Sequence, residues 1–311
     1  MNRRIFRRDF LRTGSAALLA GAMIEPSQAR AAKDGLPGDA SSRGVSKIPR
    51  LFVGCCAYSY RKYLQHGPMT MEDFIRKAVT LRLDGVDMTA YYFKSTDPEY
   101  LDGLRHLAYK NAVPFSGAAC GSSMVQPDPA RRAETLQEIK KWIDVTDRLG
   151  ASHLRVFAGK LPQGATVQQA VDWVVETMKA ASDYSGKKGI MIGVEDHSGI
   201  TQNAPACLEI MHRVNSPYAG INLDITHFIP TATEDAYSQI AACIPYATNT
   251  HIRDHFDDGT PIDMDRVWRL FAQAGHKGYM SAEYEGQEDP MTGVPKLIAK
   301  IRRLCEKYSS V

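Results

Sequence analysis

No run of about 18 apolar residues occurs in the 311-residue chain, so no segment reads as a permanent membrane span. Cys-x-x-Cys pairs are also missing. Of the six cysteines, Cys55 and Cys56 adjoin, Cys120 stands alone, and Cys207, Cys243 and Cys305 fall in helix-like stretches. This is no disulfide framework. The thiols are expected as small buried hydrophobes, although an oxidising compartment would permit a disulfide. A basic excess is absent once the N-terminus is set aside. The chain carries a formal +3, but residues 1–31 hold six arginines and two acids, and beyond them 32 basic residues face 33 acids. A body of net charge −1 lacks what phosphate-backbone binding needs, so no nucleic-acid partner is expected. With 44% hydrophobic and 23% charged residues, disorder and collagen-like structure are excluded as well.

What is present begins with an address. Five arginines lie between Met1 and Arg12, with Arg7 and Arg8 paired ahead of Asp9, Phe10 and Leu11. A short Ala- and Leu-rich stretch, Gly14 to Ile24, follows, and Ala29-Arg30-Ala31 supplies small residues for a peptidase. The Arg-Arg-x-Phe-Leu core resembles the twin-arginine signal, with Phe6 where Ser or Thr is usual. Residues 1–31 are therefore expected to be cleaved after the twin-arginine export machinery delivers a folded protein to the periplasm. Residues 32–50, rich in Gly, Ser, Asp and Pro, read as a flexible linker.

From residue 51 to the end, β-rich runs recur roughly every 30 residues, at 51–57, 83–89, 113–119, 152–158, 189–195, 219–224, 247–253 and 278–284. Helical patterns follow them, among them 71–81, 129–149, 167–184 and 295–308. Gly150, Gly189, Gly275 and Gly278 mark helix-to-strand returns. Eight βα units in about 260 residues suit a single α/β domain, a closed (β/α)8 TIM barrel. A doubly wound open sheet would usually carry a Gly-rich phosphate loop after its first strand, where this chain has Cys55-Cys56-Ala57-Tyr58-Ser59-Tyr60.

In such a barrel the site lies at the C-terminal strand ends. The last four strands end on Glu195, Asp224, His251 and Glu283, separated by 29, 27 and 32 residues, one βα unit each. Three carboxylates and an imidazole aimed at one volume would resist burial unless a divalent cation compensated them. Oxygen-rich ligands with one nitrogen suit Mn²⁺ foremost, with Mg²⁺, Co²⁺ or Zn²⁺ as alternatives.

The series Glu, Asp-x-x-His, His, Glu on strands five to eight resembles the xylose isomerase-like barrel superfamily, which includes sugar and sugar-phosphate isomerases and epimerases, inosose dehydratase and endonuclease IV. The phrases Asp84-Gly85-Val86-Asp87, Arg155-Val156-Phe157-Ala158-Gly159, Asn222-Leu223-Asp224 and Glu283-Tyr284-Glu285-Gly286 look like exported relatives described as sugar isomerase/epimerase. The resemblance implies Glu195, Asp224, His251 and Glu283 as ligands of one metal ion and His227 as a substrate contact. Endonuclease IV is a poor match, because strands two and three end on Thr89-Ala90-Tyr91 and Ala119-Cys120-Gly121, without its histidines.

The expected activity is a metal-dependent sugar isomerase or epimerase that passes through an enediolate, with Glu195 and Glu283 as acid and base in an order left open. His197, Arg253, Tyr58 and Tyr91 are further candidates for binding the small-molecule sugar or glycoside, and Tyr60, Tyr92 and Phe93 for walling the pocket. Arg253 is equally readable as an ion pair with Asp254 or Asp257. Two alternatives stay open: a lyase or dehydratase acting on a keto-sugar or 3-keto-glycoside, and a sugar-binding protein without chemistry. Self-association as a homo-oligomer is undecided.

Overall fold

A computed structural model describes residues 48–309 except 232 and 233; the expected signal and most of the linker lie outside them. Eight strands run as β1 (Arg50–Cys56), β2 (Gly85–Thr89), β3 (Phe115–Ser123), β4 (His153–Phe157), β5 (Met191–Glu195), β6 (Ala219–Asp224), β7 (Ala247–Ile252) and β8 (Lys277–Ala282). They pair in parallel in chain order, and β1 closes on β8 from Leu51 opposite Gly278 to Cys55 opposite Ala282. The fold is the expected single (β/α)8 barrel.

Nine α-helices among the described residues surround it: α1 (Arg61–His66), α2 (Met71–Thr80), α3 (Pro98–Lys110), α4 (Pro129–Leu149), α5 (Val167–Gly186), α6 (Ala204–Val214), α7 (Ala236–Cys243), α8 (Met264–Gln273) and α9 (Pro290–Tyr308). None is long and apolar enough to cross a membrane. Their sequences explain their bounds. In α8, Met264, Val267, Trp268 and Phe271 recur at helical spacing and are buried, while Asp263 accepts the Arg266 amide at the N-terminus. Thr70 and Asp73 form a reciprocal cap on α2. Gly150 ends α4 at φ 80°, a left-handed turn that favours glycine.

Three expected bounds shift. Helix α9 starts at Pro290 rather than 295, because Asp289 caps it and Pro290 occupies the first turn, where its missing N–H costs nothing. Strand β3 runs on to Ser123. Gly278 lies inside β8, in extended backbone, rather than at the turn that precedes it.

Strand alternation sends apolar side chains outward, against the helices, and polar ones into the lumen. The outward set includes Val53, Val86, Met88, Leu154, Val156, Ile192, Val194, Ile221, Leu223, Ile252 and Met280, all buried. The lumen holds Asp87, His153, Arg155, Asn222, Asn249, His251 and Ser281, also buried. Barrels of this kind usually fill that space with branched aliphatics. Here glycine makes room: a Cβ on Gly193 would stand 2.5 Å from His153 Nε2 and 3.0 Å from the Asn222 amide nitrogen. All six cysteines are free and buried, as the spacing suggested.

Candidate metal centre and active site

The four expected ligands converge. Glu195 and Asp224 are the last residues of β5 and β6, His251 is next to last on β7, and Glu283 follows β8. Asp224 stands opposite His251 in the β6–β7 register. His251 Nδ1 lies 2.7 Å from Glu195 Oε1 and 3.3 Å from Glu283 Oε1. Glu195, Asp224 and His251 each place a ligand atom within 4.8 Å of the others. All four residues are buried.

Neighbours divide the carboxylates into different electrostatic settings. Burial opposes the charge of Glu195, but the Arg155 guanidinium, 3.6 Å from Oε2, and then His251 overcome it and hold the carboxyl down at about 2. Burial dominates at Glu283, where His251 offsets it only in part while Asp224 and Glu195 add repulsion; its carboxyl is pushed up to about 7. Asp224 is drawn well below the usual range against its burial, by Arg253 and His227. Arg253 Nη2 is 3.2 Å and His227 Nε2 3.3 Å from Asp224 Oδ2, and Thr226 donates to Oδ1 through both its amide and its hydroxyl.

His227 opposes its own burial in the same way. Asp224 and Asp257, the latter 2.7 Å from Nδ1, keep the imidazole protonated and push its pKa up to about 11. His197 packs 4.3 Å from the His227 ring centroid, and burial and that neighbouring charge lower its pKa.

Arg253 realises only part of its expected pairing. It reaches Asp257 at 3.3 Å and Glu285 at 2.9 Å, whereas Asp254 bonds His255 and Lys300 instead. Tyr91 sits at the mouth, its hydroxyl accepting from Arg155 Nη1 at 3.2 Å. Tyr58 lies beneath the Arg61 guanidinium, 4.7 Å from the ring centroid, and Arg61 reaches Glu285 at 3.2 Å. Two aromatic residues expected to wall the pocket do not. Tyr60 is fully buried beside Phe74 in the core, and Phe93 packs edge-on against Tyr100, because the short helical turn after β1 and the exit from β2 direct them at the surrounding helices.

Sequence reasoning missed several lumen residues. Asn222 Nδ2 donates to Glu195 Oε1 at 2.9 Å, Asn249 Nδ2 donates to Asp87 Oδ2 at 2.9 Å, and His251 Nε2 is 3.3 Å from that same oxygen. A signal for them was present. Asn222, Asn249 and Ser281 each precede a ligand by two residues, so strand alternation puts them on the same inward face.

The donor set suits a hard divalent cation: three carboxylates and one imidazole nitrogen, His251 Nδ1, which lies between Glu195 and Glu283. Asn222 Oδ1, buried without a hydrogen-bond partner among the described residues, belongs to the same polar interior.

A closed parallel barrel with a cation-competent cluster at its strand ends defines a class of metal-competent (β/α)8 proteins. Within it, the chain belongs to the Xylose isomerase-like TIM barrel family, whose profile matches residues 75–304. A Xenopus laevis protein that carries a hydroxypyruvate isomerase name is 24% identical over 183 residues, 53% of this chain and 66% of that protein. That match spans slightly less than two thirds of the relative's own length. D-allulose 3-epimerase from Methylomonas sp. superposes with a TM-score of 0.64 at 19% identity, covering 84% of this chain and 98% of the epimerase. AsbF of Bacillus anthracis, which carries a 3-DHS dehydratase name, superposes with a TM-score of 0.63 at 15% identity, covering 81% and 98%. At these identities the structural likenesses establish the shared barrel fold.

Proposed function

We propose that the chain is a divalent-metal-dependent isomerase or epimerase of hydroxy-ketone sugars, with Mn²⁺ the favoured ion, Glu195, Asp224, His251 and Glu283 its ligands, and the two glutamates its acid and base. The observation that carries this reading is the convergence of both glutamates on His251 from strand ends on either side of it: Glu195 Oε1 and Glu283 Oε1 lie 2.7 Å and 3.3 Å from Nδ1. Two carboxyls flanking one substrate carbon can take a proton from one face and return one to the other.

A bound cation supplies Lewis-acid polarisation of the carbonyl and neutralises developing charge. One glutamate takes the proton from the carbon beside the carbonyl and the other returns one to the opposite face; exchange with solvent then restores both carboxyls, so each turnover consumes no net proton. His227 and Arg253 keep Asp224 ionised and are placed to meet substrate oxygens. His197, Tyr58 and Tyr91 line the approach.

A second reading, elimination from a keto-glycoside, is favoured by a cavity of about 560 Å³ beside His227. Phe228, Ile229, Pro230, Tyr237 and Phe256 line it, an apolar wall suited to a leaving group larger than water. Turnover of ketoses and 3-keto-glycosides by Mn²⁺-loaded protein tests both. Solvent deuterium gained at carbon without loss of a substituent supports isomerase or epimerase, release of an aglycone supports elimination, and inertness toward every compound favours a binding protein. The expected twin-arginine leader and linker complete the proposal, with the 51–311 body acting in the periplasm.

A further inference from the structure

We infer that Asp87 is a positioning residue that holds the His251 ring with Nδ1 toward the cation and Nε2–H toward the barrel interior. The inference rests on the metal reading above and adds to it an anchor on β2, across the barrel from the four ligands.

The two ring nitrogens of His251 face different partners. Nδ1 looks toward the strand ends, 2.7 Å from Glu195 and 3.3 Å from Glu283. Nε2 looks down the lumen to Asp87 Oδ2 at 3.3 Å. Both Asp87 and His251 have no exposed surface. Asp87 is itself held, since Asn249 Nδ2 donates to the same oxygen at 2.9 Å. Asn249 precedes His251 by two residues on β7, so ligand and anchor share one rigid strand and one inward face. The other carboxylate oxygen, Oδ1, is buried with no hydrogen-bond partner among the described residues, so the hydrogen bonds of this carboxylate run through Oδ2 alone.

An imidazole that ligates a metal through one nitrogen gains basicity and a fixed orientation when the other donates to a carboxylate. Asp87 is placed to do this for His251. Cys56, Asp87 and His251 also offer ligand atoms within 4.8 Å of one another. A second cation there would require both nitrogens of one ring to ligate, as an imidazolate, whereas a hydrogen bond to Asp87 requires only the neutral ring. The geometry therefore favours one cation and an anchoring carboxylate over a paired site.

Two measurements test this. The imidazole ¹⁵N–¹H spectrum of the Zn²⁺-loaded full chain reports the tautomer directly, with the His251 signals assigned by their loss in His251→Gln. A slowly exchanging Nε2–H with no proton on Nδ1 is expected; a proton on Nδ1 overturns the inference. This measurement needs no Asp87 variant, so it stands even if one fails to fold. Mn²⁺ titration of the metal-free wild type and of the isosteric Asp87→Asn variant gives the second. Loss of an outer carboxylate partner is expected to weaken affinity by roughly 10–100-fold. A wild type that binds Mn²⁺ and a variant within about two-fold of it overturn the role of Asp87 while leaving the metal reading intact. A wild type that binds neither Mn²⁺ nor Zn²⁺ overturns both.

Discussion

Asp224 and His251 stand opposite each other in the β6–β7 register, and each is buried completely. A carboxylate and an imidazole on adjacent parallel strands point into one lumen only because both fall on the same phase of the strand repeat. Glu195 and Glu283 flank them on β5 and just beyond β8.

Asp224→Ala should lose metal with the barrel retained. The substitution removes a donor and leaves Arg253 and His227 with uncompensated charge next to the site. Mn²⁺ titration should show affinity reduced beyond the roughly 10–100-fold loss typical of an outer partner, and elemental analysis of purified protein a loss of bound metal, with an unchanged circular dichroism spectrum. Undiminished metal would remove Asp224 from the ligand set.

Glu195→Gln and Glu283→Gln separate ligation from proton transfer. An amide cannot serve as acid or base near neutrality, so both variants should stay slower by roughly 10²–10⁴-fold even with saturating Mn²⁺. Steady-state rates measured across a metal titration check this. Full rescue of both by excess metal would confine the glutamates to ligation and move the chemistry to His227 or Arg253.

His276 makes stability depend on pH far from the site. Burial, with a smaller contribution from Lys277, lowers its pKa from 6.5 to about 4, and Nε2 has no hydrogen-bond partner among the described residues. The unfolded chain binds a proton on this ring before the folded one does. The neutral ring therefore contributes stability fully above pH 6.5, and that contribution is lost as the pH falls from 6.5 toward 4. The loss amounts to at most about 3 kcal/mol. Urea unfolding of His276→Leu and wild type at pH 7.5 and 4.5 should show a smaller pH difference in the variant. Equal differences would mean the ring protonates without penalty.

Changing Arg7 and Arg8 to lysine should leave the protein in the cytoplasm, because the twin-arginine pattern requires arginine at both positions. Cell fractionation and the N-terminal sequence of the exported form check this together. Continued periplasmic appearance, or a mature N-terminus far from Ala31, would assign these residues another purpose.

The barrel and four of its central residues were legible in the sequence for one physical reason. Parallel strands buried on both faces recur with their helices at a regular spacing, and a ligand at each strand end inherits that spacing. The separations among Glu195, Asp224, His251 and Glu283 record this directly. Helix α9 starts five residues ahead of the sequence pattern because its cap, Asp289, follows a polar stretch without helical periodicity.

Other features depended on long-range packing. Tyr58 and Tyr60 are two residues apart, yet one reaches the mouth beside Arg61 and the other enters the core beside Phe74. The sequence by itself determined the strand-and-helix period, the donor types and their place at consecutive strand ends, because these are local and periodic. Only the tertiary structure decided which His251 nitrogen faces the carboxylates and which faces Asp87, and that Arg155 holds Glu195 ionised while Glu283 is driven toward neutrality. Barrel closure brings β2 and β4 against residues far along the chain, and burial there removes the water that would otherwise level their charges.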